Sequence, residues 1–165
     1  EGRLRLRGPV VRGDFETTDV GNVDAHGRVF VEGRADDVII SGGKKISPDE
    51  VETVLNAHPA VDNVAVVAIP STKWGERPVA VLESKTIERP SADELHSWCD
   101  DRLTRYKIPD EFAWCDALPR TGLKKISRSA VRDAVWRARN VNDPQTSSNE
   151  DNAENLLFIA PETGL

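Results

Sequence analysis

Residues 33–52 read GRADDVIISGGKKISPDEVE and combine a short apolar run, a glycine pair and a helix start. The run at 38–40 is short, β-branched and bounded by polar residues, which predicts a buried strand. The adjacent residues Gly42 and Gly43 then predict a turn in which the backbone approaches another segment or a ligand.

A helix start follows the glycine pair. Ser47 is placed as the N-cap, Pro48 as the first helical residue and Glu50 as the partner in a capping box. Ile46 and Val51 flank this start at the spacing of a hydrophobic staple. The sequence therefore predicts a turn, a cap and a helix in quick succession.

The same stretch carries several positions that resemble the hinge motif of the adenylate-forming superfamily. Members include acyl-CoA ligases, the adenylation domains of peptide synthetases and luciferases. So many fixed positions are far more specific than one glycine-rich loop. The matching positions here are Arg34, Asp36, Ile39, Gly42, Ile46, Pro48, Glu50, Val51 and Glu52.

Length and composition limit the alternatives. A chain of 165 residues can hold one domain with a real core, and its lack of Met and strand-like opening lead us to expect a C-terminal fragment of a longer protein. Five acids and no Lys or Arg lie at 140–165, which accounts for most of the net charge of -6. Because the remainder is nearly neutral, no nucleic-acid or membrane surface is predicted, and the oligomeric state stays open.

Cysteine and histidine usage predicts no metal site. Cys99 and Cys115 are too few for a disulfide framework or a zinc ribbon, and each lies in an apolar context typical of a buried thiol. No apolar run reaches the length of a membrane span. We therefore expect a reduced, cytoplasmic setting.

Three parts are predicted along the chain. Residues 1–36 read as short strands and, by resemblance, form the tail end of a large N-terminal domain. Residues 37–139 follow the order β-α-β-β-α-β-α, which predicts an α+β lid domain with a mainly three-stranded sheet covered by helices. Residues 140–165 are acidic and polar, so we expect a disordered tail in which the apolar island at 156–160 is also mobile.

A second capping box, formed by Ser91 and Glu94, predicts the helix that precedes Phe112. Apolar positions at helical spacing would continue this helix as far as Leu103 and Tyr106.

The resemblance implies roles for residues near the first motif. Asp19 would accept hydrogen bonds from the ribose hydroxyls of ATP and AMP, although Thr18 stands where the family has Gly. Arg34 would reach the ribose or the phosphates. Asp36 would be the hinge about which the lid rotates between two half-reactions. Without the resemblance, Asp19 would be interpreted as a turn residue and Arg34 as a solvated cation.

Lys125 is the predicted catalytic residue. Residues 118–128, LPRTGLKKISR, resemble the family motif whose Lys bridges the substrate carboxylate and the α-phosphate during adenylation. An ammonium placed there would stabilise developing charge. Because Lys124 replaces the customary Gly, Lys124 remains an alternative, and a solvated basic pair is the simpler interpretation of both residues.

The second half-reaction suggests a CoA site. By resemblance, Gly42 and Gly43 would let the pantetheine arm pass, and Tyr106 would stack on the CoA adenine. Some relatives carry cations after that aromatic residue, whereas this chain has Ile108 and Asp110. A core position for Tyr106 is an equal alternative.

The implied activity is that of an AMP-forming acid:CoA ligase that uses a small carboxylic acid, ATP, Mg²⁺ and CoA, with Mg²⁺ bound mainly by the missing N-terminal domain. The run KISR at 125–128 is most similar to the o-succinylbenzoate:CoA ligases of menaquinone biosynthesis. A fatty acyl-CoA ligase, a carrier-protein-loading adenylation domain and a non-catalytic interaction domain remain alternatives. We expect the fragment alone to be inactive in adenylation.

Overall fold

A computed structural model describes residues 2–8, 11–140 and 157–159. The first three strands are β1 (Gly2–Gly8), β2 (Val11–Val23) and β3 (Val29–Arg34). They form an antiparallel sheet in the order β1-β2-β3. This confirms strands in the first part of the chain, although β2 is much longer than the sequence pattern suggests.

A single-turn 3-10 helix, Ala35–Asp37, leads into a second sheet. The strands of this sheet and the helices between them are, in chain order, β4 (Ile39–Ser41), β5 (Lys44–Ile46), α1 (Pro48–Asn56), β6 (Val61–Ser71), β7 (Gly75–Ser84), α2 (Ala92–Asp100), β8 (Glu111–Cys115), α3 (Arg128–Arg139) and β9 (Leu157–Ile159). β7 pairs antiparallel with β6 and parallel with β8. The predicted α+β class is confirmed, with the hairpin of β4 and β5 and the short β9 added around the three central strands.

The central strands bury both of their faces. Because successive side chains point to opposite faces of a strand, alternate residues enter separate cores. On β6, Val64 and Val66 join the core beneath α1 and α2, whereas Ala65 and Val67 join the core beneath α3. The sheet is therefore the middle layer of three, and we refer to residues 37–140 as the α+β domain.

The first strand after the 3-10 helix is less buried than predicted. Ile39 is buried, but Ile40 is exposed, because β4 lies in a hairpin with β5 rather than between central strands. Gly42 and Gly43 form the turn of this hairpin with φ of 55° and 77°. Positive φ at both positions suits a two-residue hairpin turn and explains the glycine pair.

The two predicted capping boxes have different outcomes. At α2, Ser91 Oγ accepts from Glu94 N–H and the Glu94 carboxylate accepts from Ser91 N–H, so this box is confirmed. At α1, Ser47 is the N-cap but makes no side-chain cap hydrogen bond. Glu50 instead accepts from Lys107 Nζ at 2.7 Å. An ion pair across the domain replaces the local box.

α2 ends earlier than the apolar spacing predicts. It stops at Asp100, and Leu103 and Tyr106 lie outside it. Leu103 is still buried in the core, whereas Tyr106 lies in a 3-10 turn, Arg105–Lys107. Ile108 precedes Pro109 and is extended, as expected for a residue before proline.

The apolar island near the C-terminus was expected to be mobile, but part of it forms a strand. Leu157–Ile159 pairs antiparallel with β8, with Trp114 opposite Leu157. This pairing covers an edge of β8 that would otherwise present unpaired backbone groups. The other residues predicted to be disordered, from 141 to 156 and from 160 to 165, lie outside the described residues.

None of the helices in the described segments is long and apolar enough to cross a membrane.

Candidate functional site

Lys125 lies in a closed loop between β8 and α3, which we call the lysine loop (residues 119–127). Arg120 and Ile126 form an antiparallel bridge at its base. Thr121 N–H donates to Lys125 O at 2.7 Å, and Lys124 N–H donates to Thr121 O at 2.8 Å. The Lys125 side chain is exposed and makes no hydrogen bond or ion pair with any residue that the structure describes. The loop thus presents Lys125 outward.

Lys124 has a left-handed backbone conformation, which glycine adopts most readily. Its φ is 62°, the one positive value at a non-glycine position among the described residues. This left-handed conformation costs a residue with a side chain about 1 kcal/mol. Lys125 directly follows this left-handed residue and does not itself have a positive φ.

A buried carboxylate anchors the start of the lysine loop. Glu83, at the end of β7, accepts hydrogen bonds from Leu118 N–H and, at 3.2 Å, from Arg120 Nη2. It also accepts from Asn63 Nδ2 at 2.6 Å. Because Glu83 is only 7% exposed, its charge is matched by donors rather than by solvent.

The end of the loop is closed by backbone and capping contacts. Ser127 N–H donates to Pro119 O at 2.8 Å, and Ser127 Oγ caps α3 by accepting from Ala130 N–H. Both ends are therefore fixed to the sheet and to α3, while the tip stays open to solvent.

A second feature is a cleft of about 780 Å³ beside the hairpin of β4 and β5, which we call the Tyr106 cleft. Its lining includes Gly42, Lys44, Trp74, Arg77, Arg105 and Tyr106. Gly43 belongs to the same turn but does not line the cleft. The structure thus brings together Gly42 and Tyr106, which are far apart in sequence.

Aromatic faces and cations alternate along this cleft. Tyr106 is 37% exposed, so it is a cleft residue and not a core residue. Lys44 Nζ lies 4.5 Å from the centre of its ring, and the Arg77 guanidinium lies 5.6 Å from the ring centre of Trp74. Cations over aromatic faces are well placed to meet a planar, negatively charged ligand.

Gly42 is required by the packing of Trp74. A Cβ at Gly42 would lie 2.8 Å from Trp74 Cε3, and Gly42 N–H donates to Trp74 O at 2.9 Å. Any side chain at Gly42 would therefore require the Trp74 ring or the turn to shift. The glycine therefore keeps this wall open.

Asp110 limits the positive charge of the cleft. It forms an ion pair with Arg77, and its Oδ2 atom is buried without a hydrogen-bond partner among the described residues. Lys44 and Arg105 remain as further cations of the lining. Ile108 and Asp110, which also line the cleft, add no positive charge.

Asp19 and Arg34 are direct cross-strand neighbours. Asp19 on β2 pairs with Arg34 at the end of β3. Asp19 N–H donates to Thr17 Oγ1 at 3.1 Å, which fixes the backbone at this point. Asp36 lies immediately afterwards in the 3-10 turn between the two sheets, where the backbone at Arg34 and Val38 is extended.

The two cysteines are buried thiols, as predicted. Burial raises the pKa of Cys99 to about 11 and that of Cys115 to about 12. Both thiols are protonated at neutral pH, so neither is a nucleophile in this fold. The described part of the chain contains no group of at least three His, Cys, Asp or Glu side chains that could hold a metal ion.

Residues 50–125 match the family described as AMP-binding enzyme C-terminal domain. The solved structure of o-succinylbenzoate CoA synthetase (MenE) from Bacillus subtilis, in complex with the acyl-adenylate intermediate OSB-AMP, superposes with a TM-score of 0.70 at 41% identity over 74% of this chain. This chain carries an AMP-binding enzyme C-terminal domain.

Curated relatives of this C-terminal domain include several CoA ligases. The 2-succinylbenzoate–CoA ligase of Bacillus subtilis is 43% identical over 74% of the chain and 25% of its own length. A long-chain-fatty-acid–CoA ligase of Mycobacterium tuberculosis is 36% identical over 73% of the chain and 24% of its own length. The chain therefore spans about a quarter of the length of these relatives.

Some residues of this C-terminal domain were missed by the sequence analysis. No pattern in the sequence assigned a role to Trp74 and Arg77, which line the Tyr106 cleft. Glu83 has no motif of its own, and only its burial beside Arg120 shows that it anchors the lysine loop. A charged residue ending an otherwise apolar strand was the one available signal for Glu83.

Proposed function

We propose that this chain is the C-terminal part of an AMP-forming acid:CoA ligase. In this proposal residues 1–36 complete a large N-terminal domain, residues 37–139 form a lid that rotates about Asp36, and residues 140–165 form a tail. The carboxylate of the substrate attacks the α-phosphorus of ATP and releases pyrophosphate. The thiol of CoA then attacks the acyl carbon of the acyl-adenylate and releases AMP.

The outward presentation of Lys125 carries this proposal. A lysine buried within its own domain could not reach a nucleotide held by another domain. Here the lysine loop is fixed at both ends, and Lys125 is exposed without an internal partner among the described residues. Its ammonium would stabilise the negative charge that develops between the carboxylate and the α-phosphate.

The residues near the hinge fit the ribose of ATP. A carboxylate can accept hydrogen bonds from both ribose hydroxyls, and Asp19 lies directly opposite Arg34, whose guanidinium suits phosphate or hydroxyl oxygens. A related MenE structure contains ATP and a magnesium ion. We propose that Mg²⁺ is bound mainly by the N-terminal domain.

The Tyr106 cleft fits the nucleotide of CoA. Tyr106 offers a face for the adenine, and Lys44 and Arg105 offer positive charge for the phosphates. Gly42, where a side chain would collide with Trp74, leaves a path for the pantetheine arm. Gly43 supports this path by completing the turn with its positive φ.

Among acid substrates we propose o-succinylbenzoate, in menaquinone biosynthesis. The support is the 43% identity to the 2-succinylbenzoate–CoA ligase of Bacillus subtilis over 74% of this chain. A cytoplasmic setting, with both thiols reduced, belongs to the same proposal.

A chimera tests the function directly. This chain would replace the corresponding C-terminal quarter of the Bacillus subtilis 2-succinylbenzoate–CoA ligase, and OSB-AMP and OSB-CoA formation would be measured separately. We expect both half-reactions in the chimera. In the chimera, Lys125→Ala should slow adenylation by about 100-fold or more, about 3 kcal/mol in barrier, while supplied OSB-AMP is still converted to OSB-CoA.

Lys124→Gly is the matched control, because glycine suits the positive φ of Lys124 and leaves Lys125 in place. This variant should keep adenylation. A folded chimera without either half-reaction would overturn the proposal, and equal losses of both half-reactions in Lys125→Ala would overturn the role of Lys125.

The acceptor is tested in the same chimera. CoA and a phosphopantetheinylated carrier protein would be compared as acceptors of the acyl group from OSB-AMP. The proposal requires CoA to react faster, and preferential transfer to the carrier protein would identify a carrier-loading enzyme.

A further inference from the structure

Arg128, the first residue of α3, links three separate parts of the α+β domain. Its Nη1 donates to Asp37 Oδ2 at 2.8 Å, and its Nε and Nη2 donate to the two oxygens of Glu52 at 3.0 and 2.6 Å. Nη2 also donates to Asp49. The guanidinium thus joins the 3-10 turn, α1 and α3 through a bidentate pair and two further hydrogen bonds.

The burial of this cluster makes Arg128 hard to replace. Its side chain is 26% exposed and that of Glu52 is 15% exposed. Glu52 also accepts from Val66 N–H at 2.8 Å, which ties the cluster to β6. Although burial opposes the charged form, hydrogen bonds to Glu52 and the nearby carboxylates raise the pKa of Arg128, so it stays a cation at any working pH.

The donors of Arg128 are already directed at carboxylates, which excludes an anion-binding role for this cluster. Four hydrogen bonds to Asp37, Asp49 and Glu52 surround the guanidinium. A phosphate arriving here would face those negative charges. The cluster therefore acts within the protein.

The two ends of this link are the regions that the proposed rotation must coordinate. Asp37 directly follows Asp36, the proposed hinge, whereas Arg128 directly follows the lysine loop. Asp37 and Arg128 are 91 residues apart in sequence. The Gly42 turn, by contrast, follows the hinge closely in sequence, after β4, and its backbone is hydrogen-bonded to Trp74.

We propose that Arg128 is a positioning residue that makes the lid side of the hinge and the lysine loop move as one body. This inference rests on the proposed function and deepens it. Rotation at Asp36 then brings Lys125 to a fixed place relative to the nucleotide. An error of about 1 Å in the position of a catalytic group can cost about 100-fold in rate.

The test uses the same chimera and separates the two half-reactions. Arg128→Gln should lower kcat for adenylation by about 10- to 100-fold while KM for ATP changes little, because Lys125 is displaced but Asp19 and Arg34 are not. Conversion of supplied OSB-AMP should change by less than about threefold. Arg128→Lys, which keeps the charge but not the bidentate pair, should recover part of the adenylation rate.

Glu111→Gln is the matched control, because it breaks the ion pair of Arg139 at the other end of α3. It should leave both half-reactions unchanged. If Arg128→Gln does not fold, Asp37→Asn removes only the negative charge on the hinge side of the cluster and leaves Asp49 and Glu52 on Arg128. This variant should also lower kcat for adenylation without changing KM for ATP, but by a smaller factor than Arg128→Gln.

The outcomes distinguish this inference from the proposed function. An active chimera that is inactivated by Lys125→Ala, but unaffected by Arg128→Gln or Asp37→Asn, would overturn the role of Arg128 alone. Equal losses of both half-reactions in the folded Arg128 variants would also overturn it, because they would indicate a purely structural role. An inactive wild-type chimera would overturn the proposed function itself.

Discussion

The sheet centred on β7 buries apolar side chains on both faces, whereas the sheet of β1, β2 and β3 leaves large apolar side chains about half exposed. In the sheet centred on β7, Phe112 and Leu82 are inaccessible to solvent. In the three-stranded sheet, the exposed large apolar residues are Leu6, Phe15, Val23, Val29, Phe30 and Val31. The sheet centred on β7 has helices on both sides, whereas in the described residues the three-stranded sheet leaves these side chains exposed.

This difference indicates that the two sheets depend on different sources of stability. Burial of apolar surface is the main favourable contribution to folding, so the α+β domain is stabilised by its own buried core. The three-stranded sheet is held by backbone pairing and by exposed ion pairs such as Arg7 with Asp14 at 2.6 Å. Its apolar side chains match the proposal that it completes a larger domain.

The largest contrast is expected from truncating one phenylalanine in each sheet. Phe112→Ala should destabilise the α+β domain by about 3–5 kcal/mol, because it removes a buried ring and leaves a cavity. Phe30→Ala should change its stability by less than about 0.5 kcal/mol. Urea unfolding followed by tryptophan fluorescence measures this, because all four Trp residues lie in that domain. Equal losses in the two variants would mean that the sheets share one cooperative core.

A smaller contrast in stability is expected from neutralising one carboxylate in each sheet. Glu83→Gln should destabilise the α+β domain by about 1–3 kcal/mol, because Arg120 and Leu118 N–H lose a charged, buried partner. Asp14→Asn breaks an ion pair whose Arg7 side chain is 82% exposed, so its urea midpoint should not change. A loss in Asp14→Asn as large as that in Glu83→Gln would contradict the distinction between buried and exposed pairs.

The smallest effect concerns pH, and it should arise in the α+β domain. His58 lies with its ring centre 4.8 Å from that of Trp98, and burial lowers its pKa below the usual 6.5. As pH falls, the unfolded chain therefore takes up this proton first. The stability that His58 contributes is complete above about pH 6.5 and is lost as pH falls through its lower folded pKa.

The matched variant is His58→Asn, whose side-chain oxygen can replace Nδ1 as the acceptor for Ala60 N–H. Between about pH 7.5 and 5.5 the wild type should lose more stability than this variant in urea unfolding. Identical pH dependence in the two proteins would remove His58 as the source.

Local signals predicted much of the fold because they act over a few residues. The glycine pair at Gly42 and Gly43 and the capping box at Ser91 were correct guides to a turn and a helix start. They failed where a distant partner competes. Glu50 fits a local capping box, but Lys107 lies close enough to bind its carboxylate instead.

The candidate site residues also divide into those that local motifs predict and those that distant contacts position. Motif spacing predicted Lys125, Gly42 and Tyr106 as site residues, since each has a recognisable neighbourhood in sequence. Trp74 and Glu83 owe their positions to contacts with residues far away in the chain, so no local pattern assigned them a place in the site. Arg128 ends the motif at 118–128, but its partners are equally distant in sequence.

The sequence by itself determined the α+β class, the glycine turn, the helix starts and the resemblance that singles out Lys125, because these depend on backbone preferences and short-range spacing. Only the tertiary structure decided that Lys125 points outward, that Tyr106 and Trp74 share a cleft and that Arg128 ties the 3-10 turn to α3. The physical reason is that burial and ion pairing join side chains across the whole chain, and their partners are fixed only once the sheet has brought them together.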